Sequence, residues 1–134
     1  MMQILQPPGW ARPKGFSNGI AVRGGTTVYI AGQIGWTADE RFEQKTFGGQ
    51  FRQAIANIVA VLAQAGGRPE HLVRLTWYVL DKQEYLASLR EVGAAYREII
   101  GRHYPTMAVV QVTGLVEAEA RLEIEATAVI PDPA

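Results

Sequence analysis

The chain contains no cysteine, which excludes a disulfide framework, a thiolate nucleophile and a thiolate metal site and makes a reducing cytoplasm the expected compartment. Net charge is missing as well. Thirteen basic residues balance thirteen acidic ones, so no field exists to hold a polyanion through counterion release, and nucleic acid is not an expected partner. No stretch approaches the roughly 20 apolar residues that cross a bilayer. The opening run Met1-Met2-Gln3-Ile4-Leu5-Gln6-Pro7-Pro8 has neither the basic leader nor the long apolar centre of a secretory signal, so a soluble, unprocessed protein is expected. His71 and His103 are the only histidines; they lie far apart without a second pair of ligands, and no metal site is expected. Gly24-Gly25 and Gly48-Gly49 do not precede a helix with the phosphate-loop pattern, which leaves nucleotide binding unsupported.

What is present describes one folded unit. A length of 134 residues is near the commonest domain size, and a single domain over 1–134 is expected. Apolar residues make up 48% and charged residues 19%, fewer charges than the usual quarter, which hints at surface buried in an oligomer. Pro7, Pro8, Gly9, Pro13 and Gly15 make residues 1–15 an extended arm, because proline removes donors and fixes φ. Two β-rich runs at 20–23 and 27–31 flank Gly24-Gly25, which can supply the positive φ of a turn; a β-hairpin is expected.

Apolar residues then recur at Phe47, Phe51, Ala54, Ile55, Ile58, Leu62 and Ala65 in steps of three and four, the pattern of an amphipathic helix starting at Thr46 and stopped by Gly66-Gly67. Residues 72–80 read as an inner strand, with Arg74, Thr76 and Tyr78 on one face and Val73, Leu75, Trp77 and Val79 on the other. Asp81 and Glu84 have capping-box spacing, and Tyr85, Leu89, Val92, Tyr96 and Ile99 mark a second helix ending at Gly101. Pro105 suits the first residue of a strand that continues through 108–115. Residues 121–130 alternate, placing Arg121, Glu123, Glu125 and Thr127 opposite Leu122, Ile124, Ala126 and Ala128. The order β-β-α-β-α-β-β predicts an α+β fold, one sheet with two helices on one face. The other face, carrying Tyr29, Thr76, Tyr78, Glu123, Glu125 and Thr127, is too mixed for a dry core and rather apolar for open water, so packing against copies of the chain is expected.

These residues resemble the Rid family of reactive intermediate deaminases, also called YjgF-like, over about 15–129. The resemblance rests on Thr27-Val28-Tyr29-Ile30-Ala31-Gly32-Gln33-Ile34-Gly35, on Gln53-Ala54-Ile55-Ala56-Asn57-Ile58 and on Leu122-Glu123-Ile124-Glu125-Ala126-Thr127-Ala128-Val129. It implies a chorismate-mutase-like fold and a homotrimer with a small-molecule cleft at each subunit interface. Founding members hydrolyse enamines and imines to ammonia and a 2-keto acid without a metal or organic cofactor, so none is expected here. Three departures stand out. Pro105-Thr106-Met107-Ala108 replaces the family's Pro-Ala-Arg-Ser, which puts Met107 where an arginine clamps the substrate carboxylate; a thioether cannot replace that charged fork. Lys14-Gly15-Phe16-Ser17 replaces Gly-Pro-Tyr-Ser, so Phe16 lacks the tyrosine hydroxyl. Arg90 stands where deaminases often have asparagine. Standard 2-imino acid hydrolysis is therefore not expected.

The resemblance makes Glu123 the candidate catalytic group, a cleft carboxylate that orients or deprotonates water beside apolar neighbours such as Phe16 and Met107. Without it, a solvated strand carboxylate like Glu125 is the simpler reading. Phe16 and Met107 either line a ligand site or fill an interface. Gly32 and Val109 would present backbone groups to the substrate, and Trp36 would cover the cleft mouth or pack on a neighbouring subunit. Arg90 or another basic residue could supply a new anion anchor in place of the missing arginine, although an arginine on a helix is ordinarily a solvated charge, and Arg12, Lys14 and Arg23 read the same way. Three functions follow: a divergent hydrolase or deaminase acting on a labile metabolite, a non-catalytic metabolite-binding trimer, and the endoribonuclease or translation inhibitor (L-PSP) of older descriptions. The balanced charge, with no basic-aromatic stripe, argues against the last.

Overall fold

The longest apolar stripe forms α1 (Phe47–Ala63) in a computed structural model that describes residues 2–134. The Thr46 hydroxyl accepts the Gly49 N–H at 3.1 Å, satisfying one of the donors that the first helical turn leaves orphaned. At the other end Gly66 adopts φ +80°, and the Gly67 N–H reaches back to the Leu62 carbonyl at 3.1 Å. Phe51, Ala54, Ile55, Ile58 and Leu62 are fully buried along the stripe.

They pack on a four-stranded sheet of order β3-β6-β4-β5, made of β3 (Thr26–Ile34), β4 (Leu72–Val79), β5 (Thr106–Gln111) and β6 (Leu122–Ile130). β6 is antiparallel to both neighbours, whereas β4 and β5 run parallel. Leu75, Trp77 and Val79 of β4 and Leu122, Ile124, Ala126 and Ala128 of β6 point into the core, as their alternation predicts. The Phe51 and Trp77 rings stack at 4.9 Å, fixing α1 over the middle of the sheet. The α+β class with its helices on one face is thus the observed one.

Four local expectations are corrected. Residues 20–23 and 27–31 do not form a hairpin: β2 (Gly19–Val22) pairs instead with β1 (Met2–Leu5) in a separate two-stranded ribbon. Gly24 and Gly25 do adopt positive φ, +67° and +81°, yet Gly25 is held at the end of β6 by the Asp132 carboxylate, which accepts its N–H at 3.1 Å. The arm accordingly contains a strand. The second helix is two, α2 (Lys82–Ala87) and α3 (Leu89–Ile99), because the Ser88 hydroxyl donates back to the Glu84 carbonyl at 2.8 Å and the backbone bends there. β5 covers 106–111 rather than 108–115; its only partner in the sheet, β4, ends at Val79. Finally, a bulge between Leu72 and Arg74 moves Val73 out of the buried row and Leu72 into it.

Behind β3 the chain crosses α1 at Gly35. A Cβ built there would lie 2.7 Å from the Gln50 Cα, an approach only glycine allows. Gly35→Ala is expected to cost about 1–3 kcal/mol, the usual penalty of overpacking, read as a lowered denaturant midpoint. An unchanged midpoint would show that the crossing can open without loss.

Candidate functional site

β5 is one of the two edge strands of the sheet, paired with β4 alone. Its helix-side residues Met107 and Val109 stand in register with Leu75 and Trp77, and they form one wall of a cavity of about 600 Å³. α2 and α3 supply the opposite wall through Tyr85, Val92 and Tyr96. The arm closes the cavity with Lys14, Gly15 and Phe16. Ser17 stitches that arm in place: its N–H donates to the Pro105 carbonyl at 3.2 Å and its hydroxyl to the Tyr104 carbonyl at 2.6 Å. Phe16 and Met107 therefore line the same cavity.

The aromatic lining is rigid. Tyr96 and Tyr104 stack with centroids 5.6 Å apart and planes within 8°, and the Tyr96 hydroxyl donates to the His103 carbonyl at 2.6 Å. Burial pushes the Tyr96 phenol well above its ordinary pKa, with a smaller contribution from Tyr104, and burial also raises that of Tyr85. Both phenols stay protonated at neutral pH, and Tyr96 serves as a donor. His103 Nε2 contacts the Leu72 carbonyl at 2.6 Å, and His71 Nδ1 accepts the Arg68 N–H at 3.0 Å, so both imidazoles are tied to backbone.

Glu123 is elsewhere. It pairs with Tyr78 of β4 and Ile34 of β3, on the face of the sheet turned away from the helices, whereas Met107 pairs with Leu75 on the helix side. The expected adjacency of Glu123 to Phe16 and Met107 does not hold within one chain, because the alternation of side chains sends β5 position 107 and β6 position 123 to opposite faces. Glu123 folds over Gly32, where β3 bulges between Ile30 and Gln33; a Cβ on Gly32 would sit 2.1 Å from its Oε2. Its neighbour Glu125 is engaged by the Tyr78 hydroxyl, and that hydrogen bond is the chief reason the phenol's pKa is raised. Glu123 has no hydrogen bond or ion pair among the described residues and is half-buried. The two carboxylates are alike in sequence and differ in state.

Gly32→Ala is expected to displace the Glu123 carboxylate while sparing the fold, since the obstructing atoms are the far end of a flexible side chain. An activity loss matching that of a Glu123 variant, at unchanged melting temperature, checks this.

Trp36 leans on Phe42, centroids 5.8 Å apart, and its carbonyl accepts from Asn57 Nδ2 at 2.9 Å. It does not line the cavity, and neither does Arg90. The cavity's cations are Lys14 and Arg97 instead. The segment Tyr104-Pro105-Thr106-Met107 is the part of the site the sequence offers, whereas Arg97 and Tyr96 escaped sequence reasoning as lining residues; Gly93, a glycine inside an amphipathic helix one turn before Arg97, was the available signal. On the open face, Tyr29 (81% exposed), Arg74, Thr76, Tyr78, Glu125 and Thr127 surround a second depression of about 660 Å³. No helix among the described residues is long and apolar enough to cross a membrane.

A sheet covered by helices on one side, with a metabolite-sized cavity between its edge strand β5 and the helices α2 and α3, defines the α+β class of this domain. The chain belongs to the Rid/YjgF family: the family model described as Endoribonuclease L-PSP matches residues 11–130. A RutC family protein of Pyrococcus horikoshii is 32% identical over 111 residues, covering 81% of this chain and 82% of that protein. The crystal structure of a Rid-family protein of unknown function from Yersinia pestis superposes with a TM-score of 0.85 at 29% identity, covering 96% of this chain and 98% of its own. RidA from an Antarctic Psychrobacter gives 0.67 at 28% identity, with 96% and 99% covered. Membership of this family supports action on a small molecule.

Proposed function

We propose that the protein hydrolyses a labile enamine- or imine-type metabolite in clefts completed between the subunits of a homotrimer. The observation that carries this is the division of the candidate residues. Glu123 and Gly32 stand on the open face, and Phe16, Met107 and Val109 on the helix side, so one chain holds two incomplete halves. A second copy on the open face would give the carboxylate an apolar wall and cover a surface too mixed for water.

In such a cleft Glu123 takes a proton from water, and the hydroxide adds to the C=N carbon. The nitrogen takes that proton from Glu123 to give a carbinolamine, whose hydroxyl proton then passes to the nitrogen as C=O forms and the C–N bond breaks, releasing ammonia and a carbonyl compound; an enamine first tautomerises to the imine. Backbone groups at Gly32 and Val109 hold the substrate. Met107 offers no charge at the position where the resemblance puts the carboxylate-clamping arginine, so short 2-imino acids, whose carboxylate adjoins the C=N carbon, are poor substrates. Ammonia release from freshly generated 2-aminoacrylate and 2-iminobutyrate tests this, together with light scattering for a particle of three chain masses. Turnover matching an authentic deaminase would overturn the argument from Met107, and a monomer would overturn the cleft.

A second reading is a metabolite-binding trimer without turnover. It is favoured by the cavity lining, which contains no carboxylate and no imidazole. Ligand-dependent thermal stabilisation that survives without conversion of any labile substrate would select it.

A further inference from the structure

We infer that Arg97, assisted by Lys14, is the anion anchor of the helix-side cavity, and that the ligand is a small organic anion with an aromatic or bulky apolar body. The inference rests on that cavity being the ligand-binding half of the proposed cleft, but not on turnover.

The cavity volume suits such a molecule. Its wall is apolar, from Phe16, Tyr104, Met107 and Val109, and its only charged lining residues are Lys14 and Arg97. Arg41, Arg52, Arg68 and Arg121 pair with Asp39, Glu98, Glu70 and Glu84. Arg97 and Lys14 have no ion pair or hydrogen bond among the described residues, a condition they share with Arg12, Arg74, Arg90 and Arg102, but they are the two cations that line the cavity. Glu98, next to Arg97 in sequence, is committed to Arg52. Both cations are exposed at the rim; beside apolar walls they bias the cavity toward an anion, which a guanidinium can meet with two parallel donors.

The helix is shaped for this. Gly93 lines the cavity, and a Cβ on it would sit 3.3 Å from Arg97 Nη1, so the missing side chain keeps space open beside the guanidinium. An interior glycine costs a helix about 1 kcal/mol relative to alanine, which calls for a compensating use. Trp77 underlies the cavity at 4% exposure, and its indole N–H, the one buried side-chain polar group without a partner among the described residues, is closed to solvent and so is not the group that a cavity ligand meets.

The test is calorimetric titration of the full-length protein with phenylacetate, its neutral isostere phenylacetamide, and acetate. Phenylacetate is expected to bind about tenfold more tightly than the amide, as a charge-assisted contact provides, and acetate more weakly than either. Arg97→Gln should abolish the acid-over-amide preference while leaving amide affinity unchanged. Arg90→Gln, on the same helix but outside the cavity, should preserve the preference. Equal binding of acid and amide, no binding of either, or a preference that survives Arg97→Gln would each overturn the inference. Imine hydrolysis on the same preparations separates the two claims. An Arg97-dependent preference without turnover sinks only the enzymatic reading, and Glu123-dependent turnover without a preference sinks only the anchor.

Discussion

Glu123→Gln is expected to slow hydrolysis of a labile imine by about 10²–10⁴-fold, the range over which a positioned general base contributes. Glutamine has the same shape as glutamate, so the side chain keeps its seat over Gly32 and loses only the capacity to take a proton. Oligomeric state and melting temperature should not move, because the carboxylate makes no hydrogen bond or ion pair among the described residues whose loss would be felt. Glu125→Gln serves as the internal control. That residue sits on the same strand and face but is committed to Tyr78, and a loss there far smaller than at Glu123 is expected. Initial rates of ammonia release, with carbonyl product measured in parallel, give the answer. Rates within threefold of the parent protein would remove Glu123 from the chemistry, and retained ligand stabilisation in the same variant would then favour the binding reading.

Gln50→Leu is expected to produce the largest loss of stability available from a single polar side chain here. Gln50 is 1% exposed on α1, yet every direction it faces is satisfied. Its Nε2 donates to the Gln44 carbonyl at 3.1 Å and to the Glu119 carbonyl at 3.0 Å, and its Oε1 accepts the Arg121 N–H at 2.8 Å. One amide thus pins the loop before α1 to the turn before β6. Leucine fills similar space but strands two carbonyls and one N–H, each costing about 1–3 kcal/mol when buried. Water reaching the loops offsets part of that, so a net loss of about 3 kcal/mol and a fall of about 10 °C in melting temperature are expected. Gln50→Glu should be no better, since a carboxylate would face two carbonyl oxygens. Both are read at matched protein concentration, because association adds to apparent stability by mass action. A loss below about 1 kcal/mol would mean that the two loops hold without the bridge.

Much of the secondary structure is legible because its causes are local. Thr46 caps α1 through a hydroxyl three residues from its donor, Gly66 ends it through its own backbone freedom, and β6 alternates because a half-covered strand must. The errors fall where two distant segments compete for one partner. Gly24-Gly25 supplies hairpin-compatible backbone angles, but angles do not choose a partner, and Met2–Leu5 takes β2 instead. The end of β5 depends on where β4 stops, which no residue of 108–115 records.

The candidate site divides in the same way. Phe16 and Met107 line one cavity because Ser17 ties the arm to the chain at Tyr104 and Pro105, and Tyr96 and Arg97 join them only through the packing of α3 across from β5. By itself the sequence determined the α+β class, the two helical stripes, the family and the absence of a charge at position 107, all properties of residue type and short spacing. The tertiary structure alone decided that Glu123 and Met107 look in opposite directions, that Glu125 is engaged while Glu123 is not, and that Arg97 rather than Arg90 borders the cavity. Those are questions of register and of which face meets which, and a face has no meaning until strands from distant parts of the chain have paired.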